Sequence, residues 1–407
     1  MKDRKYDVVV MGASGFTGRW VAKHLLDQYE ETDLAWAIAG RNQDKLESLA
    51  EFLGLNGESM PDIVLADSAD KNSLCSMAAA TKVVISTVGP YALYGSLLVE
   101  ACVEQGTDYV DLTGEVPWMR RMIDKYADQA TKTGARIVHS CGFDSVPSDM
   151  GVFFTQQQAF EKFDQYLSSI QYHLMETKGG VSGGTIASLL NVVKEAMRDK
   201  SIGKLLANPY SLNPDPSFKG VDGREQSKVI YSDDLQTWTT PFVMASINTR
   251  IVRRTNALLD FIYGENFSYN ETMVTGSGSK GYMSAKIASA VNKSITFLGI
   301  SKFGRKILGG ILPAQGEGPE IDPDNPGFYK ILFLGKTDAG ELIQSQLYGD
   351  ADPGYGSTSK MLAESAVCLA LDDITTDGGF WTPASAMGNA LLKRLQDNAG
   401  LTFTMVE

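Results

Sequence analysis

The chain has 407 residues, 43% apolar and 21% charged, which suits a folded globular protein but is too long for one ordinary core, so two domains are expected. A formal net charge of −12 repels phosphate backbones and argues against any general nucleic-acid role. His24, His139 and His173 form no i,i+4 pair, so neither a metal site nor a Ser-His-Asp relay is expected; Cys75, Cys102, Cys141 and Cys368 lack CxxC spacing, and the N-terminus passes straight into a strand, which together predict reduced thiols and a cytoplasmic location.

The first predicted strand is 7–11, apolar from Val8 onward, followed by Gly12-Ala13-Ser14-Gly15-Phe16-Thr17-Gly18 and a helical pattern through Leu26. Strand, glycine turn and helix in this order suit a dinucleotide: Gly12 permits the tight turn, Gly15 lets backbone approach a pyrophosphate, and Gly18 allows close helix packing. The spacing is GxxGxxG, a variant common where NADP is used; a plain tight turn is the alternative. The second strand, 34–39, ends in Gly40-Arg41-Asn42. An NAD enzyme usually places a carboxylate there for the ribose diol, whereas Arg41, with Lys45 one turn later, suits a 2′-phosphate. A solvated arginine at a helix start is the competing reading.

Strands follow at 63–66 before Asp67 and Ser68, at 83–86 before Thr87-Val88-Gly89-Pro90-Tyr91, at 109–112 and at 136–139, separated by amphipathic stretches such as 97–104 and 118–131. Such alternation predicts an α/β fold with right-handed βαβ units and an N-terminal Rossmann-type parallel sheet. Ligand would lie beyond the strand C-termini, which puts Asp67, Thr87 to Tyr91, Thr113 to Glu115 and Cys141 to Asp144 on one rim. Expected cofactor contacts are therefore the Gly12–Gly18 turn, Arg41, Asn42, Lys45, Asp67, Ser68, Thr87, Val88, Gly89, Tyr91 and Cys141.

Beyond Ser145 a helix with Pro147 in its first turn leads to an alternating strand, 169–175. A hairpin is predicted from 329–335 and 341–348, with a helix at 354–371 beside it. The predicted layout is a cofactor domain over 1–145, a mixed α/β substrate and dimerisation domain over 146–383, and a helix and strand over 384–407 packing back on the first domain. Between Asn191 and Trp238, Pro209, Pro214, Pro216, Gly220 and Gly223 mark a long irregular excursion that is either a lid or a plain surface loop.

No residue is identified as catalytic. Tyr282 and Lys286 form a Tyr-x-x-x-Lys pattern far from the predicted cleft, and Tyr91 and Tyr94 lie nearer to it. Asp144 and Asp149 are read as helix-capping carboxylates. Cys141 either touches the cofactor through its backbone or is an inert buried thiol. Residues 272–316 carry Lys280, Lys286, Lys293, Lys302, Arg305 and Lys306 and not one acidic residue. Segment 280–312 is too charged and glycine-rich to span a membrane; the readings are peripheral contact with an anionic membrane or lipid surface, packing within a homodimer or between domains, and a simple solvated face.

Several motifs together resemble the saccharopine-dehydrogenase-like oxidoreductases, including the trans-acting enoyl reductases: Gly12 to Gly18, Ala39-Gly-Arg41, Val88-Gly-Pro-Tyr91, Asp111-Leu-Thr-Gly-Glu115 and Gly142-Phe-Asp-Ser-Val-Pro-Ser-Asp149. Ser182-Gly-Gly-Thr185, Val252-Arg-Arg254, Gly327-Phe-Tyr329, Pro353-Gly-Tyr355 with Lys360-Met361, and Gly378 to Pro383 extend the resemblance over nearly the full chain. It implies a Rossmann fold with an α/β second domain, often dimeric, NADP as cofactor, and hydride transfer to a lipid-like or carrier-bound enoyl substrate. The alternatives are reduction of an amino-acid-derived imine, for which Arg250, Arg253 and Arg254 could hold carboxylates, and non-catalytic NADP binding at lipid surfaces.

Overall fold

The computed structural model describes residues 4–55, 60–179, 183–301, 304 and 325–406. Ser182, Lys302, Arg305 and Lys306 therefore lie outside the described residues, as does most of 301–312.

The first six strands are β1 (Tyr6–Met11), β2 (Trp36–Gly40), β3 (Asp62–Leu65), β4 (Thr81–Ser86), β5 (Asp108–Asp111) and β6 (Arg136–Val138). They form a parallel sheet. β1 shows why the run Val8–Met11 is apolar at every position. Val8 and Val10 join the core formed with helices Phe16–Tyr29 and Gly356–Leu371, while Val9 and Met11 join the opposite core, under helices Lys71–Ala80 and Ser96–Gln105. A strand buried on both faces has no polar side to alternate with, and each fully buried valine contributes roughly 1.5–3 kcal/mol.

The remaining strands are β7 (Ser169–Lys178), β8 (Ile230–Ser232), β9 (Thr237–Pro241), β10 (Ser268–Gly276), β11 (Phe328–Lys336), β12 (Leu342–Gly349), β13 (Gly379–Trp381) and β14 (Leu401–Val406). All but β13 build a second sheet in the order β14-β12-β11-β7-β10-β9-β8. Its β7–β10 pair is parallel and its other pairs antiparallel, so the sheet is mixed. β11 and β12 are the predicted hairpin.

The chain crosses between sheets more often than the 1–145, 146–383 and 384–407 division allows. β13 returns to the first sheet and pairs in parallel with β6, and helix Gly356–Leu371 packs on β1, β4 and β5. β14 does the reverse: it pairs with β12 in the second sheet rather than covering the first. The helix between them, Pro383–Asn398, lies against helices Gly356–Leu371 and Val146–Phe163. Sequence gave no warning, because helix Gly356–Leu371 is buried on almost every side, and such a helix has no polar face to show which sheet it covers.

The proline- and glycine-marked excursion is shorter than expected. Helices Gly183–Arg198 and Lys200–Ala207 occupy its first part, and the irregular stretch that follows is tied down rather than free. Helix Ala245–Leu258 holds it with three buried arginines. Arg250 bonds Glu225 at 2.9 Å and the Leu206 carbonyl at 2.6 Å, and Arg253 bonds Asp222 at 2.6 Å. Arg254 donates to the carbonyls of Leu212 and of Phe380 in β13, and burial with Arg120 nearby pushes its pKa down to about 9.

Candidate active site

The cofactor end of the cleft is built by the turn after β1. Gly12 has φ +89°, a left-handed conformation that favours glycine, and a Cβ there would lie 2.7 Å from Val88 Cγ2 and 2.8 Å from Thr87 Oγ1. A Cβ on Gly18 would fall 2.2 Å from the Gly12 carbonyl oxygen, so only glycine lets the helix sit against the turn. Gly15 caps helix Phe16–Tyr29 with no side-chain hydrogen bond, and the first turn holds no acid. Its leading N–H groups are left for an anion, as a dinucleotide pyrophosphate requires.

Ala13 is buried, Ser14 is exposed, and Phe16 and Thr17 are partly exposed. Phe16 stands edge-on to Tyr355, with ring centroids 4.3 Å apart, and under the Arg19 guanidinium. At the end of β2, Arg41 is exposed and forms no ion pair among the described residues, which leaves it available to a phosphate. Asn42 caps the next short helix, its Oδ1 accepting from the Lys45 amide at 2.9 Å, and Lys45 projects from that helix into solvent. Asp67 accepts from the Ala69 amide, fixing the turn that carries the partly buried Ser68. Thr87 donates to the Met11 and Gly12 carbonyls at 3.2 Å and brings Val88 and Gly89 beside the glycine turn.

Two expected contact residues point elsewhere. Tyr91 is buried, its hydroxyl donating to the Ser86 carbonyl at 2.9 Å and its ring 5.4 Å from that of Trp118, so the side chain is part of the core and not of the cleft. Cys141 is fully buried with its amide on the Asp111 carbonyl at 2.7 Å, and burial pushes the thiol far above its ordinary value. That matches the inert alternative for its sulfur. Tyr282 and Lys286 lie on helix Gly278–Ile300, where Tyr282 packs on Trp238 of β9 at 4.7 Å and the Lys286 ammonium sits 5.3 Å from the Tyr282 ring.

The rim at the other end is organised by two carboxylates that the sequence marked only by position. Asp111 accepts from the amides of Thr113 and Ser140, the Tyr109 hydroxyl at 3.0 Å and His139 Nδ1 at 2.7 Å, locking the ends of β5 and β6 together. Glu115 accepts from the amides of Tyr91 and Ala92 at 2.7 and 3.0 Å and from Ser188 of helix Gly183–Arg198 at 2.8 Å, while burial pushes its carboxyl up. Arg121 pairs with Glu195 at 3.0 Å and anchors the same helix.

Neither Asp144 nor Asp149 caps the helix between them and β7. Ser145 occupies the N-cap of helix Val146–Phe163 and makes no side-chain cap. Asp149 reaches across to a different helix, accepting from the Ala384 amide at 2.8 Å and from Thr255. Asp144 accepts no hydrogen bond from any described residue, and burial pushes its carboxyl up to about 7. The three arginines proposed for substrate carboxylates are consumed by the ties to residues 206–225 and β13.

Comparison with known proteins agrees with this geometry. Residues 8–138 match the family described as the saccharopine dehydrogenase NADP-binding domain. A Mycobacterium tuberculosis protein provisionally named a trans-acting enoyl reductase is 40% identical over 96% of both chains. A trans-acting enoyl reductase of Mycobacterium bovis is 36% identical over 97% of this chain and 96% of its own. Among solved structures, the apo saccharopine dehydrogenase (L-Glu forming) of Saccharomyces cerevisiae superposes with a TM-score of 0.56 over 99% of this chain and 100% of that one, at 12% identity, a likeness of fold alone. With relatives of that identity along its whole length and a glycine cradle of the right shape, the chain belongs to the saccharopine-dehydrogenase-like family, alongside the trans-acting enoyl reductases, and is an NADP-dependent oxidoreductase.

Proposed function

We propose that this enzyme saturates the carbon–carbon double bond of a lipid-like or carrier-bound 2-enoyl chain. The observation that carries the reading is full-length identity of 36–40% to proteins named trans-acting enoyl reductases. A second supports it against the imine alternative: Arg250, Arg253 and Arg254 are 2–4% exposed and already bonded, so they offer no cluster for the carboxylates of an amino-acid substrate.

The uncapped helix N-terminus behind Gly12, Gly15 and Gly18 would take the pyrophosphate, and Arg41 with Lys45 the 2′-phosphate. NADPH bound there supplies a hydride. The chain's own part is to hold the rim still, through Asp111 and Glu115, and to exclude water beneath helix Gly183–Arg198. NADPH absorbance is followed with a long-chain trans-2-enoyl thioester, and separately with glutamate plus an amino-acid semialdehyde. Oxidation with the thioester alone is expected; oxidation with the second pair alone would return the chemistry to imine reduction.

The acyl chain must reach the cleft from a lipid or carrier, and helix Gly278–Ile300 suits contact with an anionic lipid surface. It buries its small residues Gly281, Ala285 and Ser289 and exposes Met283, Ile287 and Val291 by 57%, 61% and 51%, the reverse of an ordinary surface helix. Lys280, Lys286 and Lys293 are exposed on the same helix. No described helix is long and apolar enough to cross a membrane, so the contact would be peripheral. Flotation with anionic vesicles at low salt, lost at high salt, is expected. A dimer in sedimentation that Ile287→Asp dissociates, with no flotation, would assign the stripe to a second copy instead.

A further inference from the structure

We infer that Asp144 is the acid that delivers the proton in this reduction, a role that rests on the enoyl reading above. Its carboxyl stands at the C-terminal edge of the first sheet, just after β6, where the second sheet closes over the rim. A Cβ added to Gly114 would lie 4.0 Å from Asp144 Oδ2 and 3.9 Å from Ile247 Cγ2, which places the carboxyl beside the backbone that follows β5 and against helix Ala245–Leu258.

The turn that carries it is locked on both sides. Ser140 and Ser145 hold φ +63° and +128°, unfavourable for residues with a Cβ, and such strain persists only where the surroundings impose it. Those surroundings are visible. The Phe143 amide donates to Thr358 Oγ1 at 3.0 Å, the Val146 amide to the Gly142 carbonyl at 3.0 Å, and Ser145 Oγ to Asn248 Oδ1 at 3.0 Å. Asn248 is itself bonded to the buried Glu271 at 3.0 Å. Every neighbour is tied, yet the Asp144 carboxyl has no hydrogen bond among the described residues. An immobilised backbone presenting a carboxyl that is desolvated and unpaired among the described residues is a poor structural device and a good proton source.

The surroundings are nearly neutral. Among the described residues, Tyr172 of β7 lies within electrostatic reach and is kept protonated by burial; the buried Glu271 lies beyond it, beside Tyr172 and bonded to Asn248, while Asn248, Ile247 and Thr358 carry no charge. Burial is the whole cause of the upward shift at Asp144, no charged group contributing to it. The protonated form therefore persists toward neutral pH, where an ordinary aspartate has lost its proton.

The step balances. When hydride arrives at the β-carbon of the enoyl thioester, the π pair moves toward the α-carbon and the thioester carbonyl as an enolate. The O–H bond of Asp144 breaks as the new α C–H bond forms, the double bond becomes a single bond, and the carboxylate regains its proton from water before the next turnover.

Asp144→Asn and Asp144→Glu test this, with the trans-2-enoyl thioester as substrate. For Asp144→Asn, kcat should fall by about 10²–10⁴-fold with KM little changed, and Asp144→Glu should recover part of the loss. Wild-type turnover should decline above pH 7 while the residual rate of the Asn variant stays flat. A second readout needs no substrate. The folded carboxyl titrates near 7 and the unfolded one near about 3.9. Wild-type stability should therefore drop relative to Asp144→Asn as pH rises through that window, and the gap should level off above it. Wild-type turnover with an undiminished Asn variant, or a stability gap that ignores pH, overturns the role of Asp144 alone. Absence of any wild-type oxidation overturns the enoyl reading, and this role with it.

Discussion

At the phosphate end of the cleft, residues 12–45 make the site within a single βαβ unit, mostly with backbone atoms. At the rim end, Asp111, Glu115, Asp144, Ser188, Asn248 and Thr358 come together from positions up to 247 residues apart in sequence. The first can be assembled as soon as its strand, turn and helix form. The second exists only when both sheets, and the helix that returns from the C-terminal region, are in place. Cofactor binding is thus a local property, and the chemistry depends on the whole tertiary fold.

The largest effect that could break this comparison is at the long-range ties. Arg253→Ala would leave Asp222 buried without its cation, a loss of about 3–5 kcal/mol of stability. Denaturant titration should show the whole protein weakened, because residues 206–225 and the helix that holds them pack across both sheets. If the midpoint moves by less than a tenth of that energy, the ties are ornamental.

Gly18→Ala comes next. Its added methyl collides with the Gly12 carbonyl, and the helix must shift at a cost of roughly 1–3 kcal/mol. NADPH affinity should fall along with stability, since the displaced helix carries the N–H groups of the anion site. An alanine variant that binds NADPH as tightly as the parent would show that the approach is not needed.

A smaller effect concerns the buried Glu364, where three helices meet. Burial opposes its charge, but His24 at 2.8 Å, Tyr29 at 2.7 Å and Asn398 at 3.1 Å hold the carboxyl below its ordinary value. A carboxylate with a depressed folded pKa stabilises the fold above its unfolded value, near about 4.3 for Glu, and that contribution disappears as pH falls through the folded value. Acid unfolding of Glu364→Gln should therefore show a shallower pH dependence than that of the wild type; parallel curves would remove Glu364 from the account.

What could be read from sequence follows the same division. The glycine turn and the strand alternation were legible because each is carried by neighbouring residues: a Cβ-free turn and a hydrophobic period. Tyr91 was misplaced because a tyrosine after a rim strand has the same sequence context whether its ring faces cleft or core; Trp118 and the Ser86 carbonyl decide the matter. Asp144 and Asp149 both resemble caps in sequence, and only partners more than 100 residues away separate them. Helix Gly356–Leu371 was placed beside the second sheet's hairpin, and the three-residue β13 was not read as a strand, because a buried element carries no label for the surface it covers.

The most direct test of the central claim is at Arg41, the charged side chain at the end of β2 on which, ahead of Lys45, the local reading of NADP depends. NADPH and NADH are titrated against the wild type and Arg41→Ala. Loss of a charge-assisted phosphate contact is worth roughly 1.5–3 kcal/mol, or about 10- to 150-fold in Kd. The account predicts tighter NADPH binding in the wild type, a loss of that size for NADPH in the variant, and little change for NADH. Equal affinity for the two nucleotides in the wild type, or a preference for NADPH that survives the substitution, would contradict it.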